Sequence, residues 1–262
     1  MSLRADLKGN MLFELLIVIC AGLVFGSFVT CASYRLPLEI DVIKKPSYCP
    51  NCQIKLGFKD LFPVLSWAFS GGKCRHCSAK ISVRYPLIEI ITAGLFAFLY
   101  FRYGLIIQGF ILAGMVVMLM VMIVADLEHF IIPDCVHLAL LPLALFYRYI
   151  GGTFSPDILW GFLLMLGLGL FLHYGYSHLR GRSMLGYGDV KFFAIVGVWL
   201  DLSAIPMFLM LAGVLGVVLG LIWRIMGKGP VFPFGPALAI SLFICLTYPE
   251  VVNLMYLINY YR

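Results

Sequence analysis

Charge is scarce in this sequence. Of the 262 residues, only 12% are Asp, Glu, Lys or Arg, whereas 62% are hydrophobic. A soluble domain usually carries charge at about a quarter of its positions, and a disordered chain combines low hydrophobicity with high net charge. The composition therefore excludes both classes. It favours a polytopic membrane protein, whose apolar exterior is solvated by lipid.

Long apolar runs support this interpretation. A helix needs about 20 residues to cross a bilayer. Five runs of 20 to 23 residues lack any charge, namely 15–34, 103–125, 158–179, 202–223 and 229–249. Three shorter runs are further candidates, namely 90–101, 135–147 and 192–200. The sequence therefore predicts an all-α membrane protein with about eight transmembrane helices.

The net charge of +6 lies in one segment, residues 31–84, which has nine basic and three acidic residues. Loops rich in Lys and Arg remain on the cytoplasmic side. With eight spans, 14 of the 19 Lys and Arg residues would lie inside. We therefore expect a first transmembrane helix in 1–30, a cytoplasmic loop in 31–84 and a transmembrane domain in 85–262. Such a basic loop is usually a topology signal, so nucleic acid is not an expected partner.

Two identical CxxC pairs in this loop are typical of a zinc site. Cys49 and Cys52 form the first pair, and 21 residues separate Cys52 from the second pair, Cys74 and Cys77. Two such pairs supply four thiolates in a tetrahedron, which leaves no open position and indicates a structural metal. A dithiol redox pair or two disulfides are the alternatives, although disulfides are disfavoured on the cytoplasmic side. His76 is expected to be a bystander.

Cysteines also occur in or beside the apolar runs. They are interpreted as small membrane residues without a chemical role: Cys20, Cys31, Cys135 and Cys245.

Acidic residues at the ends of apolar runs are functional candidates, because burying a charge in a membrane is costly. Asp126 ends one run, and Asp189 begins another within Gly186-Tyr-Gly188-Asp. Glu89 is a third candidate. Under the expected topology, Asp126 and Asp189 come from different helices and meet at the same membrane depth.

Two facing carboxyls are what an aspartic protease requires. The pair shares one proton, so that the ionised member activates water while the protonated member hydrogen-bonds to the scissile carbonyl. Gly186 and Gly188 are expected to adopt backbone conformations closed to other residues and to let a substrate strand approach closely.

Structural roles are the competing interpretation of these acidic residues. Asp126 could simply end a helix, and Asp189 could be an N-cap. Asp134 is a rival to Asp126, although its position after Pro133 favours a role in the first turn of a helix. Glu128 and His129 are interpreted as solvated residues of a short turn.

Taken in order, these motifs resemble those of the type IV prepilin peptidases, the bifunctional leader peptidase/N-methyltransferases of pilus and type II secretion systems. The resemblance covers nearly the whole chain. It includes Gly26-Ser-Phe, Tyr34-Arg-Leu-Pro, the double CxxC, Arg84-Tyr-Pro, Asp126-Leu with Ile132-Pro-Asp, Gly186-Tyr-Gly-Asp and Pro233-Phe-Gly-Pro.

The resemblance implies a bacterial inner-membrane enzyme that cuts the basic leader of prepilins or pseudopilins at the cytoplasmic face. It then methylates the new N-terminus with S-adenosylmethionine. The catalytic aspartates map to Asp126 and Asp189, and the metal site maps to the four CxxC cysteines. Residues 29–31 depart from the Asn-Val-like pair that is usual after Gly-Ser-Phe, which bears on methylation and leaves cleavage untouched.

Other functions remain open at this point. A presenilin-type protease also has Gly-x-Gly-Asp, and Pro236-Ala-Leu resembles its second motif. The CxxC loop and the absence of a Tyr before Asp126 argue against that class. A transporter or assembly scaffold would use the acidic pair to carry protons or cations. No glycine-rich strand-to-helix turn is present, so the residues that bind the methyl donor are not assigned.

Overall fold

The structure, a computed structural model, describes residues 2–180, 185–229 and 231–249. This part of the chain is almost entirely helical and contains no β-strand, only two isolated bridges. Its α-helices are α1 (Ser2–Arg35), α2 (Leu65–Phe69), α3 (Arg84–Tyr103), α4 (Ile107–His129), α5 (Asp134–Ile150), α6 (Asp157–Arg180), α7 (Tyr187–Trp199), α8 (Ile205–Ile225) and α9 (Gly235–Thr247).

Five of these helices contain segments long and apolar enough to cross a membrane: Met11–Leu38, Arg84–Tyr103, Ile107–His129, Asp157–Gly175 and Leu202–Ile225. The prediction of an all-α membrane protein is confirmed, and each of the eight apolar runs contains a helix. The number of crossings stays a prediction.

One helix agrees with expectation at its ends and one differs in length. The short run 90–101 is a candidate span with polar ends, and it lies in the 20-residue α3, whose charged end residues Arg84 and Arg102 are helical. In the described residues of the run 229–249, α9 has 13 residues, because proline in the first turn sets the helix start at Gly235. The charged residues that bound an apolar run therefore do not mark where the helix begins and ends.

The first compact unit, Met1–Val121, is built on the packing of α1 against α3. Glycines make this close approach possible. A Cβ on Gly22 would lie 2.6 Å from the Cα of Ala93, and one on Gly26 would lie 2.6 Å from the Cα of Glu89. Small residues at such positions let helix backbones come together in a membrane. The end of α1 is thereby fixed beside the start of α3.

The loop between α1 and α3 is fixed at its origin by Arg35. This buried guanidinium donates to the backbone carbonyls of Asp41, Val42, Lys45 and Pro46 at 2.6–3.4 Å. A buried charge needs such partners, and the carbonyls supply them without a carboxylate. The first residues of the loop therefore fold back on the end of α1.

The second compact unit, Met122–Arg262, is organised around α7. Nine of the 13 residues of α7 are buried, between α5 and α6. α6 crosses α7 at a glycine pair, because a Cβ on Gly161 would lie 2.3 Å from the carbonyl oxygen of Gly197. At 1.5 Å per residue α7 is about 20 Å long, shorter than a hydrocarbon core of about 30 Å. This buried helix carries the Gly-x-Gly-Asp motif at its start.

Candidate active site and metal centre

Asp126 lies in the last turn of α4 and is only 6% exposed. Its Oδ2 accepts a hydrogen bond of 2.7 Å from the backbone N–H of Gly235, at the start of α9. Helix α4 ends just after this turn, because Phe130 has a left-handed conformation with a φ of 55°. The carboxyl is therefore held by a donor that lies 109 residues away in sequence.

Asp189 lies in the first turn of α7 and is half-buried. Its Oδ2 accepts a hydrogen bond of 3.2 Å from the backbone N–H of Gly186, the N-cap residue. Asp189 is thus at the third helical position and not at the N-cap itself. The N-cap role considered for Asp189 is therefore wrong, although a carboxylate in the first turn still interacts favourably with the helix dipole.

The two motif glycines differ from expectation in one respect. Gly186 has a φ of −67°, and neither Gly186 nor Gly188 has a positive φ, so the expectation of conformations closed to other residues is wrong. The close approach of a substrate strand stays a prediction, but Gly188 does allow a close approach within the chain. A Cβ there would lie 3.0 Å from the Cβ of Ile132, so the chain after α4 packs directly on the start of α7.

The structure brings Asp126 and Asp189 together. They are close enough for the two carboxyl groups to interact electrostatically. The start of α5 is attached to the same place, because His137 Nε2 lies 3.0 Å from the carbonyl oxygen of Gly188. The helix ends that carry the two aspartates are therefore joined by direct contacts within one unit.

Asp134 has a partner of its own. It is the first residue of α5, and its Oδ1 accepts a hydrogen bond of 2.6 Å from Lys191 Nζ. Both side chains are more than half exposed, so the pair is a surface contact between α5 and α7. This agrees with the first-turn role expected for Asp134. The expectation of a short turn at Glu128 and His129 is wrong, because both residues belong to the last turn of α4, where Glu128 is exposed and His129 is half-buried.

Two residues of the site had no role in the sequence analysis. Gly235 was noted only within Pro-Phe-Gly-Pro, and its N–H holds Asp126. His137 follows Asp134 at a spacing of three residues, which places both on one face of α5. That spacing is a usable signal for His137. No local signal marks Gly235, because its partner belongs to a distant helix.

Glu89 lies in the first unit, on α3, and is 6% exposed. Its Oε2 accepts a hydrogen bond of 2.7 Å from the backbone N–H of Val64 in the loop, and the Ser27 side chain also bonds to it. Among the residues that the structure describes, Glu89 forms no ion pair. The buried carboxylate therefore ties α1, α3 and the loop together.

The four loop cysteines form one cluster. Their Sγ atoms all lie within 4.8 Å of one another, and those of Cys49 and Cys77 are 3.9 Å apart. Zn–S bonds of about 2.3 Å in a tetrahedron place the sulfurs about 3.8 Å apart. The donor set and its spacing therefore fit a zinc ion, for which Cys49, Cys52, Cys74 and Cys77 would be the ligands.

The two knuckles of this cluster have the same backbone. The N–H of Cys49 bonds to the carbonyl of Ile54, and the N–H of Cys74 bonds to that of Ala79. The residue after each second cysteine, Gln53 or Ser78, has a φ of 59°. This repeated turn is why two residues between cysteines suffice to aim both sulfurs at one point.

Hydrogen bonds to the sulfur of Cys77 prepare it for a metal. Bonds from the side-chain amide of Asn51 and from the backbone of Ala79 lower the pKa of Cys77 to about 6. The thiolate is the form that ligates metal. His76 is exposed, and the remaining cysteines, Cys20, Cys31, Cys135 and Cys245, lie outside the cluster.

Comparison with known proteins identifies two family matches. Residues 20–103 match the bacterial peptidase A24 N-terminal domain, and residues 111–221 match the type IV leader peptidase family. No solved structure matches the chain.

Relatives match over most of both chains. A prepilin leader peptidase/N-methyltransferase of Pectobacterium carotovorum is 33% identical, with 84% of this chain and 88% of the relative covered. Proteins of the same name from Bacillus subtilis and Neisseria gonorrhoeae are 32% and 31% identical, covering 90% and 86% of this chain and 95% and 87% of the relatives. The chain therefore belongs to the type IV leader peptidase family.

Proposed function

We propose that this protein cleaves the leader of type IV prepilins or pseudopilins and then methylates the new N-terminal amine. The observation that carries the proposal is the pair Asp126 and Asp189. They come from two helices, interact electrostatically and are each held by a backbone N–H. The names of the relatives support both activities.

In the proposed reaction Asp126 and Asp189 share one proton. The ionised carboxyl removes a proton from water, and the protonated carboxyl donates a hydrogen bond to the scissile carbonyl as negative charge develops on its oxygen. The N–H groups of Gly235 and Gly186 hold one oxygen of each carboxyl, so the other oxygens remain for water and substrate. This orientation is the contribution of the fold to the chemistry.

Incubation of the purified protein with a leader-bearing pilin tests the proposal, with mass spectrometry at the cleavage and methylation sites. Removal of the leader and a gain of one methyl group on the new N-terminus are expected. A transporter or scaffold would cut nothing. An intact pilin after incubation with well-folded protein would therefore contradict the proposal.

The division into a first helix in 1–30, a loop in 31–84 and a peptidase domain in 85–262 belongs to this proposal. So does the placement of the loop and of the aspartates at the cytoplasmic face of the inner membrane. The excess of Lys and Arg in the loop supports that orientation.

The loop cysteines are proposed to bind one structural zinc ion. We expect metal analysis of the purified protein to give about one equivalent of zinc, because four thiolates satisfy a tetrahedral ion. Cys49→Ser and Cys74→Ser should each lower that content, whereas Cys245→Ser, outside the cluster, should leave it unchanged. Metal-free protein whose four thiols are all reduced and reactive would contradict the assignment.

The methyl donor is proposed to be S-adenosylmethionine, bound on the loop side near the end of α1. A charged, water-soluble donor cannot lie in lipid. Glu89 is a buried carboxylate at this place, and the structure gives it no ion pair in the described residues. It therefore suits a cationic group such as those that the donor carries.

Glu89→Gln is expected to lower methylation more than cleavage. Glutamine keeps an oxygen acceptor for the N–H of Val64 and for Ser27 while it removes the charge. Mass spectrometry of a pilin incubated with the variant should show cleaved, unmethylated product. Thr92→Val, a neutral change at a buried position of the same helix, is the control. Methylation that falls only in proportion to cleavage would indicate that one site serves both activities.

A further inference from the structure

The loop carries a row of exposed apolar side chains that neither proposed activity uses. We refer to it as the apolar face, which consists of Phe58, Leu61, Phe62, Leu65 and Phe69. The two end residues are 78% and 83% exposed. These residues belong to a 3-10 turn, Phe58–Asp60, to α2, and to the bend between them. The rings of Phe58 and Phe62 pack edge to face with their centroids 5.3 Å apart, so these two residues form one continuous part of the apolar face.

Two other residues of the same segment, Val64 and Trp67, are anchored by hydrogen bonds. Trp67 Nε1 donates to the carbonyl of Ile81 at 3.1 Å, and a Cβ on Gly72 would lie 3.0 Å from the Trp67 ring. The N–H of Val64 bonds to Glu89, which holds this β-branched residue at a φ of 59°. Such a conformation persists only where the surroundings impose it. The apolar face is therefore exposed because the segment is held in this orientation.

Positive charge flanks the apolar face. Lys55 and Lys59 are exposed and lie close to Phe58 in the sequence. The one acidic residue of the segment, Asp60, is paired with Arg75 at 3.3 Å. The loop as a whole carries the +6 net charge of the protein. An apolar strip with basic flanks suits an anionic surface with apolar material beneath it.

The loop cannot move far from the bilayer. It begins at the end of α1 and returns at the start of α3, and both helices are long enough to cross a membrane. Its first residues are bound back to Arg35 at the end of α1. The leaflet from which these helices emerge is therefore within reach of the apolar face.

We propose that the apolar face rests in the headgroup region of that leaflet. The aromatic rings enter the boundary between headgroups and acyl chains, where such residues are favoured. Lys55 and Lys59 contact the phosphates of anionic lipids, whose negative surface potential attracts them. The loop is thereby held flat on the membrane beside the proposed donor site.

A photoreactive benzophenone side chain at Phe69 or Phe58 tests this placement. The full chain carrying this side chain is reconstituted in vesicles of phosphatidylcholine with phosphatidylglycerol. After irradiation, mass spectrometry identifies the cross-linked adducts. His76, an exposed position on the second zinc knuckle, is the control. We expect severalfold more lipid adduct at 58 and 69 than at 76. The excess should fall when phosphatidylglycerol is omitted or salt is raised.

Three results would overturn the proposal. Equal lipid adduct at 58, 69 and 76 would show that the face is not in lipid. Adducts to a leader-bearing pilin, formed in place of lipid adducts when the pilin is added, would assign the face to the substrate. A product with twice the mass of the chain would assign it to a second copy. None of these results depends on whether the protein cleaves the pilin.

Discussion

Asp126→Asn and Asp189→Asn are each expected to remove nearly all cleavage of a leader-bearing pilin, with a loss of about 10⁴-fold in rate. Asparagine keeps the size of the side chain and an oxygen that accepts from Gly235 or Gly186. It cannot share or transfer the proton. Single-turnover rates measured on protein in detergent or vesicles provide the readout.

This substitution separates the catalytic role from the structural one. If Asp189 only stabilised the start of α7, Asn would serve as well, since it also accepts a hydrogen bond there. Asp134→Asn is the matched control, because Asp134 is an exposed residue paired with Lys191. It should cost far less activity than either change at the pair. Full activity in Asp126→Asn together with none in Asp134→Asn would show that the first carboxylate is wrongly assigned.

The two aspartates should also behave as one unit. The double variant Asp126→Asn/Asp189→Asn is expected to be little slower than either single variant, because each change already abolishes the shared proton. Cleavage by the unmodified protein should fall at both low and high pH, with apparent values that belong to the pair. Additive losses in the double variant would argue for two independent roles.

Gly235→Ala is expected to slow cleavage by about 100-fold, the effect of displacing a catalytic group by about 1 Å. A Cβ on Gly235 would lie 2.7 Å from Oδ2 and 3.2 Å from Cγ of Asp126. Either the backbone at position 235 or the Asp126 carboxyl must move, and the buried carboxyl has little room to do so. The loss should appear in kcat more than in KM, because the change moves a reacting group and leaves substrate contacts intact.

Gly213→Ala in α8 is the control for this prediction. A Cβ at Gly213 meets nothing within 4 Å, and alanine favours a helix over glycine by about 1 kcal/mol. Its cleavage rate should match that of the unmodified protein. A rate for Gly235→Ala equal to that of Gly213→Ala would mean that the position of the Asp126 carboxyl does not depend on the absence of a side chain at Gly235.

Local spacing predicted the metal site correctly as a cluster. Two residues between cysteines form the same turn twice, with Gln53 and Ser78 in the left-handed conformation. All contacts of each knuckle lie within about seven residues of chain, so the pattern is visible without a fold.

Helix ends were less predictable than helix positions. Each charge-free run coincides with a helix in the part of the chain that the structure describes, since burial in lipid requires apolar side chains wherever the backbone is helical. The runs overestimated the length of α9, because a proline begins this helix late. The length of a charge-free run depends on side-chain polarity, whereas the length of a helix depends on which residues form helical backbone hydrogen bonds.

The sequence by itself determined the membrane class, the cysteine cluster and the candidacy of Asp126 and Asp189, because each depends on composition or on short spacing. The tertiary structure alone decided which groups hold the carboxyls. Gly235 bonds to Asp126 across 109 residues, and Lys191 pairs with Asp134 across 57. Such pairs form only after separate helices have docked, and docking depends on glycine contacts such as Gly161 with Gly197, whose partners no local pattern reveals.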